Sequence, residues 1–166
     1  DNFDEKVENA DLEVRTLYHA INLLDNRLKM MPLISNPDAA KYGQVYKCSP
    51  YKIFDKIRRI FNDSASKKGV TLDLKSDSYI NLEPLVYDSF LTIPFVLIEN
   101  AIKYSKNGGT VHINLKQRGK KVIVGVTSYG PVVTSDKQER IFEKGFKDPN
   151  AKKFDLFKKN LCKSFF

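Results

Sequence analysis

Ile93-Pro94-Phe95-Val96-Leu97-Ile98-Glu99-Asn100-Ala101-Ile102-Lys103-Tyr104-Ser105 decides how the rest of this 166-residue chain is read. Its apolar residues Ile93, Val96, Leu97 and Ala101 recur at helical spacing, which predicts a helix with one buried face. Pro94 suits the first turn, where a missing N–H costs nothing, and Asn107-Gly108-Gly109 supplies the stop. The polar residues set the stretch apart. Glu99, Asn100 and Lys103 are three and four residues apart, so they project from neighbouring parts of one helix surface. An amide oxygen, a carboxylate and an ammonium gathered there can hold a hydrated Mg²⁺ and a polyphosphate, because Mg²⁺ takes oxygen ligands and phosphate needs cations. A half-buried helix carrying a solvated Glu–Lys pair is the plainer alternative.

Glu99-Asn100-Ala101-Ile102-Lys103-Tyr104-Ser105 resembles the N box of sensor histidine kinases, within the ATPase superfamily shared with gyrase B, MutL and the heat-shock-ninety chaperones. Two further blocks follow in that family's order. Val126-Thr127-Ser128-Tyr129-Gly130-Pro131-Val132 resembles the G1 box, and Ile141-Phe142-Glu143-Lys144-Gly145-Phe146 resembles the F box. The resemblance runs from about Ser49 onward, and three blocks in order are far more specific than any one. It implies a two-layer α/β sandwich of the Bergerat type, a mixed sheet with helices on one face, preceded by a coiled-coil helix.

Composition agrees with a folded domain plus an appendage. Apolar content is 42%, ordinary for a globular chain. No apolar run approaches a membrane span and no signal peptide is visible, so the expectation is a cytoplasmic piece whose membrane attachment, if any, lies outside this chain. Cys48 and Cys162 lack metal-ligand spacing and suit a reducing compartment. The net charge of +8 is carried by scattered lysines without a nucleic-acid motif, so no nucleic-acid partner is expected and a basic solvated surface suffices.

Upstream, Val7, Ala10, Val14, Leu17, Ile21, Leu24, Leu28 and Met31 alternate three- and four-residue steps, the pattern of a coiled-coil seam. Pro32 should end that helix. The expected organisation is a dimerisation helix over 1–34, a linker over 35–48 and an ATPase domain over 49–166, with homodimerisation through 7–31. A helix packed on its own domain is the alternative. His19 lies two residues after the seam position Leu17 and is expected on the exposed outer face, where it is the candidate phosphoacceptor. The residues that follow, Ala20-Ile21-Asn22, depart from the family's acidic neighbour and Arg–x–Pro. The helix therefore reads better as the second of the family's helical hairpin.

Ser49-Pro50 predicts a helix start, Ile53, Phe54, Ile57, Ile60, Phe61 and Ala65 its buried stripe, and Gly69 its end. Val70, Leu72 and Leu74 alternate as a strand, while Asn81–Ser89 is ambiguous, a loop with a short helical turn. Thr110–Lys116 and Val122–Thr127 read as a hairpin turning at Arg118-Gly119-Lys120. Ser135-Asp136-Lys137-Gln138 has the form of a capping box opening a short helix with Arg140. Leu156-Phe157 followed by Asn160-Leu161-Cys162 resembles the helix after the family's lid, and the domain reads as truncated beyond it.

By resemblance the ligand is ATP with Mg²⁺. Asn100 supplies the amide oxygen to the metal, Lys103 faces the phosphates, Tyr104 flanks the nucleotide and Glu99 stands where the family carries an acidic residue assisting transfer. Ser128 stands where the family's aspartate accepts a hydrogen bond from the adenine amino group; a hydroxyl accepts more weakly than a carboxylate. Gly130 lets backbone approach the base. Phe142 anchors the lid and Lys144 is available to phosphate. Two departures stand out: Val132 replaces a second glycine, and no glycine occurs between Phe146 and Phe166, where the glycine-rich lid belongs. The function implied is the ATP-binding catalytic domain of a sensor histidine kinase, transferring a phosphoryl group to histidine, with a response regulator or phosphoacceptor domain as partner. The alternative is a nucleotide-binding or interaction module of the same fold without turnover.

Overall fold

The structure, a computed structural model, describes residues 6–7, 9–41, 43–77, 79–131, 133–138, 140 and 157–165, with the backbone alone for 37, 41 and 157–165. It divides into two compact units, 1–64 with 81–98 and 65–80 with 99–166.

In the first unit the long helix α1 spans Leu12–Ser35. It starts later than the heptad suggests, because a turn closed by Ala10 N–H on the Val7 carbonyl (3.1 Å) and the extended backbone of Asp11 interrupt it. It also runs through Pro32. The proline removes one intrahelical donor, yet its own carbonyl still accepts from Asn36 N–H at 2.8 Å, so the helix gains one further turn before stopping. Leu12, Val14, Leu17, Ile21, Leu24, Leu28, Met31 and Ile34 all stand exposed along it. Val7, by contrast, is buried and does not belong to that stripe.

Helix α2, Pro50–Lys67, begins at the proline and buries Phe54, Ile57, Ile60 and Phe61 within the first unit. Phe61 meets Phe95, the ring centroids 4.8 Å apart and inclined at 59°, an arrangement aromatic quadrupoles favour. Two three-residue strands, β1 (Val45–Lys47) and β3 (Leu85–Tyr87), pair antiparallel with Tyr46 opposite Val86. Within the loop expected at 81–89, Leu85–Tyr87 is strand, 81–84 is irregular and the short helical turn begins at Asp88. Val86 packs with Cys48 and Phe90, and Tyr46, Ile53 and Ile93 cover that cluster. A short 3₁₀ turn, Asp88–Leu91, leads into α3, Thr92–Tyr104.

The second unit holds a four-stranded mixed sheet in the order β2-β4-β5-β6. Strand β2 (Thr71–Ser76) runs parallel to β4 (Thr110–Arg118), and β5 (Lys121–Gly130) and β6 (Phe157–Phe165) continue antiparallel. Gly119, at φ +56°, makes the tight β4–β5 turn that a side chain would strain. Val111, Ile113 and Leu115 alternate with polar residues along β4, and the buried Val122, Val124 and Val126 alternate with the half-buried Ile123 and Gly125 along β5, so one sheet face is buried. The helix expected after the lid is strand β6 instead. Its Phe157, Leu161 and Phe165 recur every fourth residue, a helical signature, but the edge of β5 offers an antiparallel ladder along the full length of the segment. The capping box is also displaced: Thr134 occupies the N-cap of the 3₁₀ turn Ser135–Lys137 and makes no side-chain cap bond.

Candidate functional site

Helix α3 places the polar residues of its last turns on the accessible side. Asn100 and Lys103 are exposed, Glu99 and Tyr104 half-buried, while Ile102 turns inward. Lys103 folds its Nζ over the Tyr104 ring, 5.0 Å from the centroid, a cation–π contact. The helix end is then held against the end of β5. Lys106 N–H donates to the Tyr129 carbonyl at 3.0 Å. A Cβ on Gly130 would collide with the Tyr104 carbonyl oxygen, so glycine is what lets strand and helix end approach. Ser128, two residues earlier, shares by alternation the face of β5 that carries Val124 and Val126 and is half-buried. Tyr104 and Gly130 therefore meet where α3 and β5 end, with Asn100 and Lys103 on the last turns of that helix and Ser128 near the end of that strand. Phe142 and Lys144 lie outside the described residues.

Sequence reasoning missed two contributors to this end of the molecule. Lys68, in the turn after α2, donates from Nζ to the carbonyls of Ile102 (2.7 Å) and Lys103 (2.5 Å), and burial lowers its pKa from the ordinary lysine value. A lysine in a turn has no pattern that announces so distant a partner. Ser105 is fully buried beside Gly109, where an added Cβ would lie 2.9 Å from its Oγ. That tight corner makes Gly109 more than a generic helix stop.

His19 does not occupy the position expected of it. It is only 6% exposed, because the side of α1 opposite the apolar stripe faces α2, where Thr16 Oγ1 lies 3.5 Å from Asp63 Oδ2. A heptad shows which face of a helix is apolar; it carries no information about what covers the other. His19 lines a cleft of about 220 Å³ with Arg15, Arg58, Arg59, Asn62 and Asp63. Asp55 bridges the two adjacent guanidiniums, at 2.7 Å from Arg58 and 2.8 Å from Arg59. The imidazole is thus buried at the wall of that cleft and not exposed on the outer face.

The donor set at the end of α3 suits a magnesium nucleotide: one neutral amide oxygen for a hard cation, one exposed ammonium for phosphate and a half-buried aromatic ring beside them. Among the described residues no group of three or more His, Cys, Asp or Glu side chains is placed to hold a metal ion, so a metal here would take most of its oxygens from ligand and water.

Residues 88–158 match the family of histidine kinase-, DNA gyrase B-, and HSP90-like ATPases, a span that includes α3, β4, β5 and all three boxes. Over these residues the chain carries a histidine kinase-like ATPase domain. Heme sensor protein HssS of Staphylococcus saprophyticus is 30% identical over 149 residues, covering 87% of this chain and 32% of its own length. The chain thus spans about a third of that relative. Full-length ShkA, solved with AMPPNP, superposes with a TM-score of 0.58 at 21% identity, over 82% of this chain and 31% of that one. Histidine kinase ThkA, solved with the response regulator protein TrrA, gives 0.57 at 20% identity over 88% of this chain and 45% of that one. The mixed sheet with helices is the α/β fold of histidine kinase catalytic domains. Among the described residues no helix is long and apolar enough to cross a membrane.

Proposed function

We propose that this chain is the ATP-binding catalytic portion of a sensor histidine kinase, binding Mg²⁺–ATP at the junction of α3 and β5 for phosphoryl transfer to a histidine. The observation that carries the reading is the convergence of the two boxes. Lys106 N–H on the Tyr129 carbonyl and the bare Cα of Gly130 against Tyr104 tie the end of α3, which follows Asn100 and Lys103, to the end of β5, which follows Ser128. Asn100 Oδ1 holds the metal, Lys103 swings from Tyr104 to the phosphates, and the Ser128 hydroxyl accepts from the base. Bound Mg²⁺ would neutralise phosphate charge; the chain's own residues orient the nucleotide. Glu99 is the acidic residue proposed to assist transfer. By the sequence resemblance, Phe142 is proposed as an anchor of the lid and Lys144 as a phosphate contact.

The exposed stripe of α1 supports a homodimer through that helix, and the similarity to ThkA, solved with TrrA, supports a response regulator as partner. The similarity to sensor proteins supports a cytoplasmic site of action. Burial of His19 favours a phosphoacceptor other than this residue. Calorimetric titration with ADP tests the central reading. Binding is expected with Mg²⁺, weaker without it, and reduced at least about tenfold in Asn100→Ala, the loss of one good ligand or charged hydrogen bond. A folded protein silent at millimolar nucleotide would overturn it. A second reading, binding without turnover, is favoured by Ser128 in the aspartate position and by the absence of glycine between Phe146 and Phe166.

A further inference from the structure

The last turn of α3 contains four carbonyls, of residues 101–104, that no following helical N–H is bound to satisfy. Ser105 N–H serves the first two, at 3.0 Å from Ala101 and 3.2 Å from Ile102. The Tyr104 carbonyl lies against the Cα of Gly130. The Lys103 carbonyl takes its donor from outside the helix, from Lys68 Nζ at 2.5 Å, and the same ammonium reaches Ile102 at 2.7 Å. This contact spans 34 and 35 residues of sequence. Lys68 is half-buried, so its charge is held at a desolvation cost that a solvated surface lysine does not bear. A cation at the carboxyl end of a helix also meets the negative end of its dipole.

We propose that Lys68 is a positioning residue of the nucleotide site: its ammonium pins the terminal turn of α3 and so sets the directions from which Lys103 and Tyr104 meet the ligand. This inference rests on the nucleotide reading above. The residues that would touch the ligand sit on the very turn that Lys68 holds, and the next residue but one, Lys106, ties that turn to β5. A loosened turn would have to be ordered at binding, and that ordering weakens affinity.

The test uses the full chain in four forms: unaltered, Lys68→Met, Lys68→Arg and, as a control one residue away on the exposed side, Lys67→Met. Two quantities are read, the Kd for Mg²⁺–ADP and amide hydrogen exchange at Ser105 and Lys106 without nucleotide. Lys68→Met should raise Kd about tenfold and accelerate both amides. Lys68→Arg, which keeps charge and donors, should restore both, and Lys67→Met should alter neither. If Lys68→Met does not fold, Lys68→Gln, with a shorter reach and one amide donor group, replaces it with the same expectations. A variant that speeds exchange or lowers the unfolding temperature while leaving Kd unchanged makes Lys68 only a helix cap and overturns the proposal. Unchanged exchange overturns it as well. If the unaltered chain binds no nucleotide, the site reading fails separately, and exchange alone still reports whether Lys68 holds the turn.

Discussion

Two residues show how single atoms decide this molecule. Gly130 is required because the Tyr104 carbonyl occupies the space of its missing side chain. Gly130→Ala should cost about 1–3 kcal/mol, the usual range for forcing atoms into a packed site, read as a lower denaturation midpoint with unchanged slope. An unaltered midpoint would mean that strand and helix end are not pressed together. Asp73 faces Lys75 Nζ at 2.9 Å and His112 Nδ1 at 3.0 Å. Hydrogen bonds from Lys75 and then His112 hold its carboxyl below the usual carboxylate range. Its folded pKa therefore lies below the unfolded one, so this stabilisation is complete above about pH 4 and lost as pH falls through the folded value. Because the group is partly exposed the effect is small, under about 1 kcal/mol. Asp73→Asn should flatten the acid limb of the stability curve below pH 4; an identical limb would remove Asp73 from the account.

At the scale of elements, α1 carries the clearest unfinished surface. Leu17 is 62% and Leu24 59% exposed, in a stripe of six large apolar side chains, Val14, Leu17, Ile21, Leu24, Leu28 and Met31, along one helix. Exposed single leucines are ordinary, but a continuous seam at heptad spacing is the surface a second helix covers. Replacing Leu17 and Leu24 together by aspartate should convert a dimer to a monomer in sedimentation, since unpaired charge in such a seam is costly. A monomer before the change, or an unaltered dimer after it, would refute the assignment. The other side of the same helix is already committed to α2, which is why His19 is buried.

For the whole molecule, we expect binding and turnover to separate. The α3–β5 junction holds residues suited to a nucleotide, while the segment from Phe146 to Phe166 lacks the glycines that let backbone N–H groups close around phosphates. Lys147, Lys152 and Lys153 can replace part of that attraction as point charges only. We expect nucleotide binding with ATP hydrolysis and autophosphorylation at background, measured by phosphate release and by radiolabel transfer. Robust turnover would show that the glycine turn is dispensable in this chain.

Much of this was legible without coordinates, for reasons that are local. Helix α3 was readable from its proline–glycine frame and is observed one residue away, at Thr92–Tyr104. Its buried face, however, is Phe95, Ile98 and Ile102, while the expected Ile93, Val96, Leu97 and Ala101 are half-buried. The β4–β5 hairpin followed from alternation around Gly119, because its partner strand lies next in sequence. What depended on distant partners was not readable. The β1–β3 pairing joins three-residue strands 40 residues apart, too short to show a period. Strand β6 carries a helical pattern and is decided by the free edge of β5. His19 is buried by a helix that its own sequence does not mention, and Lys68 finds its carbonyls 34 residues on. Sequence by itself determined where residues of suitable chemistry stand along each element, since periodicity and turn residues act within a few positions. Only the tertiary structure decided which face is covered, which edge is paired and which charge caps the helix, because those terms belong to contacts between segments far apart in the chain.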